Sequence, residues 1–388
     1  MAVMITDILL LDVFNSLGLP TSTTVSIVFE LLGSAVVVAL IKMNEKGEAF
    51  NELWNYINYS QATKIILGIL LSVVVAFTLG AIVQYFSRLI YSFNFGERPS
   101  YINALFGGFA LTSIVYFIII KGLKGTPFYG DIQYVLEYNI FLLIGANFLI
   151  WAFVSMALTS LMKVNILKLI IGVGTFSLAM AFAGNDLVNF IGVPIAALNS
   201  YEVWSTSGQA VSEFSMGVLA TKVPSNVWLL LLAGAIMVVT LWTSKKARTV
   251  IETGINLSRQ GEGHEKFKPN NVSRVVVRMA MYANAGLNAM MSDKTRNYLN
   301  SKFEKPTVAL QKDKNSQAPA FDLARASVNL IVASILISIA TSMKLPLSTT
   351  YVTFMVAMGA SLADRAWGRE SAVYRVAGVL KVILGWFA

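Results

Sequence analysis

Leu19-Pro20-Thr21-Ser22-Thr23-Thr24 returns 326 residues later as Leu345-Pro346-Leu347-Ser348-Thr349-Thr350. Each copy heads a short apolar stretch, and the match continues: Gly33 aligns with Gly359, and Ser34-Ala35 with Ala360-Ser361. Proline suits the first turn of a helix, where its missing N–H costs nothing. The next backbone N–H groups have no partner within the helix, and they sit at the positive end of its dipole. Both copies carry three successive hydroxyls at matching places after the proline, Ser22, Thr23 and Thr24 in copy one and Ser348, Thr349 and Thr350 in copy two. A helix start of this kind receives an oxyanion. Ser and Thr also cap helices with no ligand involved. The recurrence of one pattern at corresponding places favours a site over two unrelated caps.

The rest of the chain sets the medium in which that pattern works. Of 388 residues, 56% are hydrophobic and 13% charged, about half the charged share of a soluble domain. There is no Cys and one His. Disulfides, cysteine chemistry and a His/Cys zinc or haem site are therefore excluded. The apolar content excludes disorder. An integral membrane protein remains. No Ser/His arrangement, spaced Asp pair or metal motif points to an enzyme.

Uncharged gaps between charged residues mark the spans. Lys64–Arg88 encloses 23 residues, Arg98–Lys121 22, Glu137–Lys163 25 and Lys222–Lys245 22. Arg325–Lys344 encloses 18 and Lys344–Asp364 19. Each fits one helical crossing, which takes roughly 20 residues. The runs are apolar all round, unlike barrel strands. Two regions are interrupted: 12–42, which holds Pro20 and Glu30, and 168–212, which holds Asp186 and Glu202. They predict broken or re-entrant helices, the kind that hold binding sites in transporters.

Of the net charge of +9, residues 244–321 carry +8, from 14 Lys/Arg and 6 Asp/Glu. A nucleic-acid surface is the weaker reading of this patch. Lys245, Lys246 and Arg248 directly follow a span, as the positive-inside bias expects of a cytoplasmic loop. Within it, 275–291 is predicted to form an amphipathic helix on the membrane or the protein body. His264 reads as a solvated loop residue.

A second polar cluster, Ala183-Gly184-Asn185-Asp186-Leu187-Val188-Asn189, interrupts apolar sequence. Intramembrane polar groups of this type are functional candidates. Asn185 and Asn189, four apart, share a helix face. Asn amides donate to phosphate oxygens while their carbonyls face a cation. Asp186, with Asn185 and Asn189, offers oxygen ligands to sodium. Alternatively, Asp186 accepts a hydrogen bond from protonated phosphate. Glu30 reads as a residue that carries a proton or lines a cavity, or equally as the partner of a residue in the missing part of the protein; Asp12 and Asn15 have similar standing. Arg325 and Asn329 read as a helix start at the interface. Gly107-Gly108 and Gly172-x-Gly174 read as close helix packing.

At these residues the chain resembles the inorganic phosphate transporter family, the sodium- or proton-coupled phosphate symporters. In that family each of two inverted halves has a Gly-Ala-Asn-Asp-x-x-Asn motif and a later Pro-x-Ser-Thr-Thr motif. Here Gly184 to Asn189 and Pro346 to Thr350 look like a complete second half, and Pro20 to Thr24 like the end of the first. Ala183-Gly184 departs from the usual Gly-Ala order, and Val25 and Tyr351 stand where a histidine is common.

The resemblance implies an all-α membrane protein of two inverted repeats, with re-entrant helices and a central cytoplasmic loop. It implies phosphate near the midplane, held by Ser22, Thr23, Thr24, Ser348, Thr349 and Thr350, with Asn185, Asp186 and Asn189 contributing to phosphate and to sodium. The coupling ion is Na⁺ or H⁺ and no further cofactor is expected. The expected setting is the cytoplasmic membrane, multi-pass, with phosphate and the bilayer as partners, no nucleic acid, and a homo-oligomer left open.

On that basis 1–62 is the remainder of the first repeat, 63–165 connecting helices, and 166–243 the start of the second repeat. Residues 244–321 are the basic loop and 322–388 the rest of the second repeat. Apolar sequence lies close to both Met1 and Ala388, so the chain is read as truncated at both ends, with the first Asn-Asp motif upstream. A carrier of another oxyanion such as sulfate, and a phosphate sensor that does not transport, are the competing readings.

Overall fold

The computed structural model describes residues 2–93, 99–116, 139–211, 213–217, 225–261, 264–304, 320–343, 345, 347–368 and 370–387. The longer helices are α1 (Ala2–Leu17), α2 (Thr23–Lys46), α3 (Tyr59–Tyr91), α4 (Ser100–Tyr116), α5 (Ile140–Ser160), α6 (Ile166–Phe182) and α7 (Val188–Ser207). After these come α8 (Val227–Thr243), α9 (Lys245–Ser258), α10 (Asn271–Met290), α11 (Asp293–Lys302), α12 (Leu323–Ser342), α13 (Thr349–Ala363) and α14 (Ser371–Phe387). No strand occurs among the described residues. The chain is an all-α membrane protein.

Among the described residues, five stretches are long and apolar enough to cross a bilayer: Thr23–Lys46, Ala62–Tyr91, Ile140–Ser160, Ile166–Ser207 and Leu323–Thr341. A sixth is α8 with α9, if that pair, bent by 68° at Ser244, counts as one. α5 shows why these surfaces need lipid. Phe141, Leu142 and Phe153 are each more than 70% exposed, a contiguous apolar face that water does not tolerate. α8 carries exposed Trp228 and Trp242 near its two ends, where indoles anchor at membrane interfaces.

The core lies where α3, α12, α13 and α14 meet, around Ala76, Val332, Ile337, Val356, Met358 and Val382. Two glycines let α13 lie directly against α3. A Cβ on Gly359 would fall 2.1 Å from the Phe77 carbonyl oxygen, and one on Gly80 would fall 2.6 Å from that of Val356. Gly107 and Gly108 play the expected packing role between α4 and α5, where added Cβ atoms would strike Ser155 and Ala152. Gly174 closes on Leu330, but Gly172 has nothing within 4 Å and is no packing contact.

Two expectations are corrected. The gap Lys344–Asp364 is not a crossing. Its helix, α13, has 15 residues, about 22 Å against the ~30 Å of the hydrocarbon core. The polar interruption at Asp186 does not break its helix. Ala183–Leu187 is a π turn that joins α6 to α7 without a gap. One added residue is accommodated in the turn, as at many functional sites. Arg325 does stand at a helix start, in the first turn of α12 after the Asp322 cap, and its side chain is fully buried within the protein. The predicted amphipathic helix forms as α10, with Ser273 and Val277 buried and Val275, Val276 and Met279 exposed. The gap Arg98–Lys121 yields α4, and 117–138 lies outside the described residues, as do 305–319 of the basic stretch and Pro346.

Candidate functional site

The two copies of the repeated motif fold alike. Gly18, at φ 62°, closes α1 in the left-handed conformation, with Leu19 N–H donating to Phe14 O at 3.0 Å. This turns the chain into Leu19-Pro20. Ser22 then caps α2, its Oγ accepting from Val25 N–H at 3.2 Å. Ser348 caps α13 in the same way, accepting from Tyr351 N–H at 3.0 Å. In each copy the serine is the N-cap and the first threonine is the first helical residue. The amides of Thr23, Thr24, Thr349 and Thr350 therefore fall outside the intrahelical ladder.

The two helix starts meet at the π turn. Asn185 and Asn189 both donate through Nδ2 to Thr24 Oγ1, at 3.0 and 2.7 Å. Asn185 Nδ2 also donates to Asp186 Oδ1 at 3.0 Å. From the other copy, Thr349 Oγ1 donates to Asp186 Oδ1 and Oδ2 at 3.0 and 2.9 Å. Thr23 lies close enough for its hydroxyl to act on the Asp186 carboxylate. The first threonine of both copies thus reaches the same carboxylate. Thr24 accepts two amide N–H groups and keeps its hydroxyl proton to donate.

Of the nine residues singled out in the sequence, Thr24, Asn185, Asp186, Asn189 and Thr349 form one hydrogen-bonded group, with Thr23 beside the Asp186 carboxylate. Ser22 and Ser348 are buried and capped onto the backbone, so they shape the helix starts and do not join the group. Thr350 is half-buried beside it, with its carbonyl accepting from Thr353 Oγ1. The group combines hydroxyl, amide and main-chain donors with one carboxylate and amide carbonyls. It can take an oxyanion on the donor side and a hard cation on the oxygen side. Among the described residues no three of His, Cys, Asp and Glu gather as a metal cluster.

Three features escaped the sequence reading. Trp386 stacks on Tyr351, centroids 3.7 Å apart, and donates through Nε1 to Pro20 O at 2.9 Å. It therefore ties the two motif copies together. A cavity of about 720 Å³ beside them is lined by Ser22, Ser26, Glu30, Tyr351 and Trp386 among mainly apolar side chains; Asn185 and Asp186 are not part of its wall.

The third is a buried ion cluster. Arg88 donates to Asp364 at 2.8 and 2.5 Å and to Asp322 at 2.7 and 3.2 Å. Gln84 Nε2 donates to Asp364 at 2.7 Å, and Arg325 Nε lies 3.7 Å from the same carboxylate. As sequence, these charges had marked the ends of spans. Asp12, by contrast, is exposed and paired with Lys246. His264 offers only its backbone carbonyl to Asn256 and Arg259.

Fold and site together define a multi-pass, all-α membrane protein with a polar centre assembled from two matched helix starts and a π turn. The chain aligns with a solved structure described as "The sodium-dependent phosphate transporter", at TM-score 0.52 and 16% identity, over 99% of this chain and 77% of that one. The two share a fold. No protein-family model matches the chain, and no curated protein matches it in sequence.

Proposed function

We propose that the protein is a secondary transporter of inorganic phosphate in the cytoplasmic membrane, coupled to Na⁺ or H⁺. The observation that carries the reading is the meeting of Thr24 and Thr349, 325 positions apart, on Asn185, Asp186 and Asn189. The fold shared with a sodium-dependent phosphate transporter supports it. Phosphate is held by the free amides and hydroxyls of the two helix starts and by the Asn amides. Asp186 would repel a bare dianion, so a cation beside it or a proton on phosphate must offset the charge. Sodium ligated by Asp186, with the Asn185 and Asn189 carbonyls, meets the first need. A hydrogen bond from protonated phosphate to Asp186 meets the second.

The two motif-bearing halves are read as inverted repeats, and movement of one against the other gives alternating access. The basic stretch 244–321 faces the cytoplasm in this reading. The test is labelled-phosphate uptake into vesicles carrying the protein, with and without a sodium or pH gradient and with excess sulfate. Gradient-driven uptake that resists sulfate is expected. Uptake abolished by sulfate would make the protein a carrier of another oxyanion. Phosphate binding without uptake under either gradient would make it a sensor.

A further inference from the structure

On α2, Ser22, Ser26 and Glu30 stand four residues apart and line the cavity beside the first motif. Ser26 Oγ donates to Glu30 Oε1 at 2.9 Å. A hydroxyl has one proton to give, and here Glu30 takes it. Glu30 Oε2 is buried with no hydrogen-bond partner. Asp7 of α1 lies close enough for its charge to act on Glu30. Its side chain is 1% exposed, and both of its oxygens are buried without a partner. Two carboxylates thus lie near each other around Ser26, with three buried oxygens unsatisfied. Burying even one unpaired charge is strongly unfavourable. Among the described residues no arginine, lysine or histidine pairs with either.

We propose that Asp7, Ser26 and Glu30 bind a monovalent alkali cation, sodium, at a site separate from the Asn-Asp cluster. The ligands are Asp7 Oδ1 and Oδ2, Glu30 Oε2 and a lone pair of Ser26 Oγ. Hard cations take oxygen donors of this kind. A divalent cation demands six or more oxygens or a largely kept water shell, and the cavity beyond these groups is mainly apolar. The cavity gives the ion its way in. Glu30 lines that cavity, and Asp7 and the cation are its partners.

The test is thermal melting of the purified protein in sodium, potassium or choline chloride at constant ionic strength, without phosphate. It does not depend on transport, so it stands apart from the uptake assay. Wild-type protein is expected to gain Tm saturably with sodium. Asp186→Asn, which leaves Asp7 and Glu30 in place, should keep a sodium increment. Asp7→Asn and Glu30→Gln should lose most of the increment and melt higher than wild type in choline, because the repulsion is gone. A merely damaged variant would melt lower in both salts.

Ser26→Ala, which keeps both charges, should need about tenfold more sodium for half the shift. Equal sodium increments in wild type, Asp7→Asn and Glu30→Gln would overturn the proposal. So would a response to calcium but not to sodium. The same holds for a response to pH alone, which would mean that the two carboxyl groups share a proton.

Discussion

Asp186 accepts from Asn185 and Thr349 and lies beside Thr23, so it bears on the relative positions of three segments as well as offering charge. Asp186→Ala should abolish phosphate uptake while the protein still inserts into the membrane, read by uptake and membrane fractionation together; normal uptake would remove Asp186 from the site. Asp186→Asn keeps the shape and removes the acceptor that a protonated phosphate would use. Sulfate carries no proton at neutral pH, so this variant should let sulfate compete with phosphate in the same vesicles. The threonines were legible as candidates because they occur twice, and the Asn-Asp turn because polar side chains interrupt apolar sequence. The serines were legible only as hydroxyls. That Ser22 and Ser348 spend their oxygens on Val25 and Tyr351 amides depends on backbone geometry that spelling does not carry. Asp7 drew no notice for a related reason. One acid in an apolar opening looks like many others until α1 is laid against α2.

Helix α13 illustrates what charge gaps measure. Nineteen uncharged residues separate Lys344 from Asp364, yet the helix holds 15 and Asp364 is fully buried at its end. The gap counts distance between charges, and it equals a span only when both charges lie in water. Arg88 is likewise out of water, at 1% exposed, and the span it marks runs on past it to Tyr91. The π turn at Asp186 is the converse. Polar residues there look like a break, but a turn with one extra residue keeps the helix whole.

Glycine gives an element-scale prediction. Gly359→Ala puts a methyl group 2.1 Å from the Phe77 carbonyl, backbone that cannot move without separating α3 from α13. It should lower stability by about 1–3 kcal/mol, seen as a lower Tm in detergent. Gly33, its counterpart in the repeat, has nothing within 4 Å, and Gly33→Ala should leave Tm unchanged or slightly raised. Equal losses at both positions would contradict the packing described here.

Across the whole molecule, long-range pairings close the structure. Arg88 of α3 joins Asp322, the cap of α12, and Asp364, at the end of α13. Asp364→Ala would leave Arg88 and Arg325 as buried cations short of a counter-ion, at a cost of about 3–5 kcal/mol. The expected result is a strongly lowered Tm with loss of detergent-stable protein. No sequence pattern announces pairs 234 and 276 residues apart.

The architecture as a class was legible from composition and spans, because lipid demands long apolar helices wherever the chain crosses. What holds those helices to one another was not. The same long reach defines the site, since residues 23–24 and 349 meet on one turn. The most direct measurement is equilibrium binding of phosphate to purified protein bearing Thr24→Val, Thr349→Val or both. Each single change should weaken binding roughly tenfold or more, the worth of about one hydrogen bond to a charged group. The pair should depart from additivity by about 0.5 kcal/mol or more, as contacting networks do. Unchanged affinity in either single variant, or strictly additive losses, would contradict a single phosphate site built from both halves.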